Sequence, residues 1–198
     1  ATYSNEENSR TKKYQEESKR NELKATHSSI DEYLKSLKMK AKLSSFDNFN
    51  VPRIAQLSQR SNQFNLRTIR YTENEISKLV SSKNHITIYC KLRDLYGDYG
   101  LISILILEKR NENLFIDTWI MSCRVLKRGV ENLIFKNLVE QARKKKFKKI
   151  MGEYLPTEKN ILVKDFLKDL KFKKNKNQWV YNIANNPKKN NFKKIEKE

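Results

Sequence analysis

The stretch that decides the fold is IDTWIMSCRVLKRGVE, residues 116–131. Its first six residues are mostly apolar and β-prone, as a strand inside a sheet requires. The chain then turns at Cys123–Lys127, and from Gly129 onward apolar residues recur at helical spacing. Val130, Leu133, Ile134, Leu138 and Ala142 share one stripe with Asn137, which predicts a helix over 128–144. The first N–H groups of such a helix have no intrahelical acceptor and point outward with the positive end of the helix dipole. Together they suit a diphosphate. Gly129 lets the backbone approach such a group closely. Arg124, Lys127 and Arg128 add charge, arginine through two parallel hydrogen bonds. Read alone, Arg124, Val125, Leu126, Lys127, Arg128, Gly129 and Val130 form either a phosphate-binding turn or a basic strand-to-helix turn with no ligand.

Upstream, His85–Asp94 alternates with period two, as a half-buried strand does. Tyr96–Gly100 (YGDYG) is a turn, Leu101–Glu108 (LISILILE) is a near-continuous apolar strand, and Asn111–Asn113 turns the chain into Leu114–Val125. Before these, Val51–Phe64 reads as a helix with Ile54, Leu57 and Ser61 on one face and Pro52 near its start. Leu66–Tyr71 reads as a short strand, followed by a helix with Thr72 as N-cap. Residues 40–51 read as loop. Ser29–Glu32 reads as a capping box opening a helix that buries Ile30, Tyr33, Leu34 and Leu37. Residues 1–26 read as a polar helix or an extended connector. Downstream, Lys149–Tyr154 is a predicted strand, Thr157 starts a helix reaching Leu170, and strands over 171–173 and 178–183 close the domain. This order predicts an α/β (α+β) fold, a mixed central sheet flanked by helices, with an N-terminal helical linker. The divisions expected are linker 1–45, domain 46–184 and a basic disordered tail 185–198.

A chain of 198 residues holds one domain with a real core plus an appendage. No apolar run reaches the length of a membrane span, and the start has no apolar signal region, so a cytoplasmic protein is expected. Cys90 and Cys123 make no disulfide framework, and no zinc-ligand spacing occurs. The net charge is +19. It suits a polyanionic partner, or it reflects a genome rich in Lys, Asn and Ile codons. Residues 141–198 carry 18 Lys/Arg against 6 Asp/Glu, without the aromatic interleaving of a nucleic-acid binder, which is not the expected partner.

Arg124-x-x-Lys127-x-Gly129 resembles the (Gln/Arg)-x-x-Gly-x-(Gly/Ala) pyrophosphate loop of the GNAT acyltransferase superfamily, and the element order matches that fold. More narrowly, RIAQLSQRSNQFNLRTIRYTENEI (Arg53–Ile76), YGDYGLI (Tyr96–Ile102), Ile116–Glu131 and GEYLPTEKNILVKDFLKDLKF (Gly152–Phe172) resemble the C-terminal half of FkbH-like proteins. DEYLKSLKM (Asp31–Met39) is similar to the connector in that family, so the resemblance spans residues 1–183 in order. FkbH-like proteins join an N-terminal HAD-type phosphatase-like domain to a C-terminal GNAT-like domain. As a class they take a glyceryl group from 1,3-bisphosphoglycerate, dephosphorylate it, and load it as a thioester on an acyl carrier protein for polyketide-related biosynthesis. The HAD signature Asp-x-Asp-x-Thr/Val is absent here, so the resemblance implies a chain that begins after such a domain. It further implies an acyltransferase whose cofactor is CoA or another phosphopantetheine thioester. An acidic acyl carrier protein is the partner, and acyl-CoA is a second possible one. Two alternatives stand beside it: a free-standing acetyl-CoA-dependent N-acetyltransferase, and a non-catalytic carrier-docking module.

Two positions depart from the family pattern. Lys127 stands where the loop has its usual Gly, and Leu167 stands near where many GNAT enzymes place a Tyr as general acid; leucine cannot donate a proton. Candidate chemistry otherwise lies near the strand ends. Asp117 is a candidate general base or a structural carboxylate; simple alternation puts it on the face of Trp119 and Met121, opposite Thr118, Ile120 and Ser122. Cys123 is a candidate thioester acceptor, acidified by Arg124 and the helix N-terminus, or a small buried hydrophobe. Glu153 binds substrate hydroxyls or caps the helix near Thr157. Asn160 bonds the pantetheine arm or is a polar residue at a helix start. Arg60, Gln63 and Asn65 hold a loop through backbone bonds, or touch substrate.

Overall fold

The computed structural model describes residues 2–185 and 194–198. Helices α1 (Thr2–Ala25) and α2 (Ile30–Ser36) precede β1 (Met39–Ser44), and α3 (Val51–Arg60), β2 (Phe64–Asn65) and α4 (Glu73–Val80) follow. Three long strands come next: β3 (His85–Arg93), β4 (Asp98–Arg110) and β5 (Asn113–Met121). Then come α5 (Val130–Lys144), β6 (Lys149–Gly152), α6 (Phe166–Asp169), β7 (Lys173–Asn175), β8 (Gln178–Asn182) and β9 (Ile195–Lys197). The sheet order is β7-β8-β6-β5-β4-β3-β1-β9, with β2 added on β5. Strands β3, β4 and β5 form an antiparallel meander, while β5 and β6 are parallel and need the α5 crossover between them.

Helices cover both faces. Phe46, Val51, Ile54, Leu57 and Ile76, mainly from α3 and α4, pack on one face, against Tyr89, Ile104, Ile106 and Ile120. Helices α2, α5 and α6 cover the other, where Tyr33, Leu37, Ile134, Phe135, Leu138 and Phe166 meet Ile88, Leu105, Leu107, Trp119 and Met121. Burial from two sides explains why LISILILE is apolar throughout. It also corrects β3, which is buried along most of its length rather than on alternate residues.

Several local expectations change. Met39–Ser44, expected as loop from residue 40 onward, is an inner strand between β3 and β9, with Met39 and Ala41 facing the core. The short strand expected at Leu66–Tyr71 is instead the two residues Phe64–Asn65, and the preceding helix stops at Arg60. The helix expected from Thr157 is a 3-10 turn at Ile161–Val163 followed by the short α6. Ile30 is exposed, whereas Tyr33, Leu34 and Leu37 are buried. Thr72 caps α4 in a full capping box with Glu75, as expected. Most of the tail, residues 186–193, lies outside the described residues, and Ile195–Lys197 pair with β1. Among the described residues, no helix is long and apolar enough to cross a membrane.

Candidate active site

The β5–β6 ladder joins Asn113–Phe115 to Lys149–Met151 and ends there. Beyond it the two strands part, leaving a wedge with the α5 turn at the far end of β5. The turn starts where Ser122 accepts the Arg124 N–H and continues as a 3-10 turn over Cys123–Val125. Lys127 and Gly129 both have positive φ, +62° and +82°. The backbone at Lys127 therefore has the geometry that favours the family's glycine, and lysine bears that strain. A Cβ placed on Gly129 would meet nothing within 4 Å, so the space over the start of α5 is open. The side chains of Arg124 and Lys127 are exposed beside it.

Other members of the turn are differently employed. Val125 and Val130 are core side chains and Leu126 packs against that core, so only their backbone is available to a ligand. Arg128 is buried: it donates to the Tyr99 hydroxyl at 2.8 Å and lies 3.5 Å from Asp94. It braces the turn instead of facing solvent for a phosphate. Arg124 donates to the Tyr99 carbonyl at 3.2 Å, and Arg20 of α1 lies 4.4 Å over the Tyr99 ring. Cys123 is exposed, so the small-buried-hydrophobe reading does not describe it.

At the apex of the wedge lies a half-buried polar cluster. Asp117 is the extra residue of a β-bulge, since Ile106 pairs with Thr118 and Leu107 with Ile116. The bulge breaks the alternation, so Asp117 does not share the face of Trp119. Its Oδ2 accepts from the Thr118 hydroxyl at 2.8 Å and, by a short bond, from the Tyr71 hydroxyl. Arg67 joins the two carboxylates across the wedge, donating to Glu153 at 2.9 Å and to Asp117 Oδ1 at 3.4 Å, and it also donates to the Asp117 backbone carbonyl at 3.0 Å. Burial, and then the hydrogen bond to Asp117, push the Tyr71 phenol well above its ordinary pKa, so it keeps its proton at neutral pH. Arg67 and Tyr71 were not among the sequence candidates. They lie 50 and 46 positions from Asp117, and no spacing rule links them.

Glu153 stands in this cluster with Asp117, while Cys123 belongs to the turn at the other end of β5. Asn160 is fully buried and its amide is committed: it donates to Asn65 O at 2.9 Å and Leu155 O at 3.0 Å, and accepts from Thr157 N at 2.7 Å. Both its amide hydrogens go to backbone carbonyls, so Asn160 ties the 155–160 loop to Asn65. Asn65 likewise holds its loop, bonding Ser61 O and Thr68 N. Leu167 is buried against Gly152, whereas the Tyr71 hydroxyl, from another part of the chain, donates to Asp117.

No protein-family model matches this sequence, and no curated protein matches it. Solved structures do. The ribosomal-protein-S18-alanine N-acetyltransferase from Escherichia coli is similar with a TM-score of 0.57 at 10% identity, covering 75% of this chain and 97% of that one. The GNAT domain of S. lividans PAT gives 0.56 at 10% identity, covering 71% and 89%. Aminoglycoside acetyltransferase AAC(6')-Ib in complex with coenzyme A gives 0.53 at 12%, covering 72% and 95%. The chain therefore has the GNAT acyltransferase fold.

Coenzyme A, which that last structure contains, is a demanding test of the wedge. The turn at α5 fits its phosphates: Gly129 opens to space, and Arg124 and Lys127 flank it. The β5 edge next to that turn is taken, because Phe64 and Asn65 pair with Met121 and Ile120.

Proposed function

We propose that this chain is an acyltransferase acting on a phosphopantetheine thioester, in the manner its FkbH-like resemblance implies. The substrate favoured is a hydroxylated acyl group of the glyceryl type on an acidic acyl carrier protein. The observation that carries this reading is the pairing of the exposed cationic turn at α5 with a hydroxyl-binding cluster, Arg67, Tyr71, Asp117 and Glu153, along one strand. A glyceryl group carries two hydroxyls for such a cluster to bind, and an acetyl group carries none.

A bound thioester would supply the activated carbonyl carbon. In the net reaction a bond from that carbon to the acceptor's nucleophilic atom replaces the carbon–sulfur bond, and the acceptor's proton ends on the sulfur. Asp117 and Glu153 offer carboxylate oxygens to an acceptor's proton or to acyl hydroxyls. Tyr71 holds a proton on its phenol oxygen, and Arg67 pairs with both carboxylates in this structure. The net positive charge favours encounter with an acidic carrier.

Titration calorimetry with glyceryl-loaded carrier protein and with acetyl-CoA tests the proposal. Response to the loaded carrier and weak binding of acetyl-CoA are expected. Tight acetyl-CoA binding with no response to the carrier would overturn it in favour of a free-standing N-acetyltransferase, a reading that the fold neighbours also suit.

A further inference from the structure

The wedge holds a segment of the chain itself. Phe64 and Asn65 pair with Met121 and Ile120, and Arg67 bonds the Asp117 carbonyl, so residues 64–67 run antiparallel along the β5 edge from 121 to 117. On their other side Leu66 O accepts from Leu155 N at 2.9 Å, and Asn65 O accepts from Asn160 Nδ2 at 2.9 Å. The segment is a strand inserted where β5 and the chain after β6 separate, and it satisfies backbone groups on both sides. It is well seated: Phe64, Asn65 and Leu66 are buried, and the Phe64 ring packs edge-on against Phe166 at 4.8 Å and Trp119 at 6.5 Å.

A pantetheine arm is an extended chain with two amides, and it binds a strand edge with the N–H and C=O groups that a strand uses. One edge cannot serve two occupants. We propose that residues 64–67 are a plug that a pantetheine arm must displace, and that the same movement lifts Arg67 from Asp117 and Glu153. Entry of the arm would then uncover the two carboxylates, which are otherwise engaged by Arg67. This inference rests on the acyl-pantetheine reading above. The arm's affinity is lowered by the fraction of molecules in which the edge is closed, whereas Arg124 and Lys127 stay exposed with the plug in place.

Two probes separate the parts: CoA, and 3′-phospho-ADP, which is the same ligand without its arm. With the unaltered chain their affinities are expected to agree within about threefold, because opening the edge offsets what the arm gains. Phe64→Ala unseats the plug and should tighten CoA about tenfold while leaving 3′-phospho-ADP unchanged. Phe64→Leu keeps most of the packing, and should shift CoA in the same direction by less if the alanine variant folds poorly. CoA binding the unaltered chain well over tenfold tighter than 3′-phospho-ADP, with no gain in either variant, overturns the plug and leaves the proposed function standing. Binding of neither probe to Phe64→Ala or Phe64→Leu overturns the plug, and no response to glyceryl-loaded carrier protein in addition overturns the acyl-pantetheine reading itself.

Discussion

Arg20 and Asp94, 74 positions apart, form a two-pronged ion pair out of reach of water, with Nε–Oδ2 at 2.7 Å and Nη2–Oδ1 at 2.9 Å. The pair fastens α1, otherwise largely exposed, to the β3–β4 turn, where Asp94 also accepts the N–H groups of Tyr96 and Gly97. Arg128 shares the same carboxylate, so one buried aspartate links the N-terminal helix to the turn at α5. Arg20→Ala leaves a buried charge short of its main partner, and is expected to cost about 3–5 kcal/mol in urea unfolding. Burial alone would raise the Asp94 pKa, but the Arg20 hydrogen bond and the backbone N–H groups outweigh it and hold the carboxyl below its usual value. A depressed carboxylate contributes stability that is present above its unfolded pKa, near 4, and lost as pH falls through the folded value. Unfolding free energy should therefore fall on acidification below about pH 4, and fall less steeply in Arg20→Ala.

The two cysteines should differ in reactivity. Burial pushes the Cys90 thiol up to about 12, whereas Cys123 is exposed on the turn. The thiolate is the reactive form, so a disulfide reagent at pH 8 should label Cys123 alone in the native protein and both cysteines in denaturant. Rapid native labelling of Cys90 would contradict its place in the core.

Gly152 and Gly129 should respond differently to alanine. At Gly152 a Cβ would lie 3.1 Å from Leu167 Cδ1 and 3.4 Å from Ile116 Cδ1, so Gly152→Ala overpacks the wedge apex and costs about 1–3 kcal/mol. At Gly129 space is open and only the positive φ is strained, a cost of about 1 kcal/mol. Thermal melts should rank Gly152→Ala as the less stable.

Asp117 and Tyr71 should act as a unit. Asp117→Asn removes a carboxylate from the cluster and should lower kcat about 100-fold or more if it handles a proton. Because Tyr71 bonds the same carboxylate, the double variant with Tyr71→Phe should lose less than the product of the single losses. A purely structural Asp117 would show instead as a lower Tm with kcat unchanged.

The order of elements from α3 to β8 was largely legible in the amino-acid sequence, because it follows from local rules. Helical spacing marked α5, Thr72 and Glu75 marked the start of α4, and long apolar runs marked β4 and β5. The turn from Ser122 to Val130 was legible for the same reason: strand, turn, glycine and helix are consecutive. Strand β1 escaped notice because MKAKLS buries only Met39 and Ala41, a weak alternation that pairing with β3 completes. Tertiary structure alone decided what fills the wedge and what the charged residues do. The bulge at Asp117 depends on the register against β4, and the joining of Arg67 to Glu153 depends on residues 86 positions apart. Arg124 and Arg128 have the same chemistry and lie four positions apart, yet one faces solvent and the other is buried against Asp94 and Tyr99. Which cation stays free for a ligand depends on what packs against it, and the partners here come from distant strands and from α1.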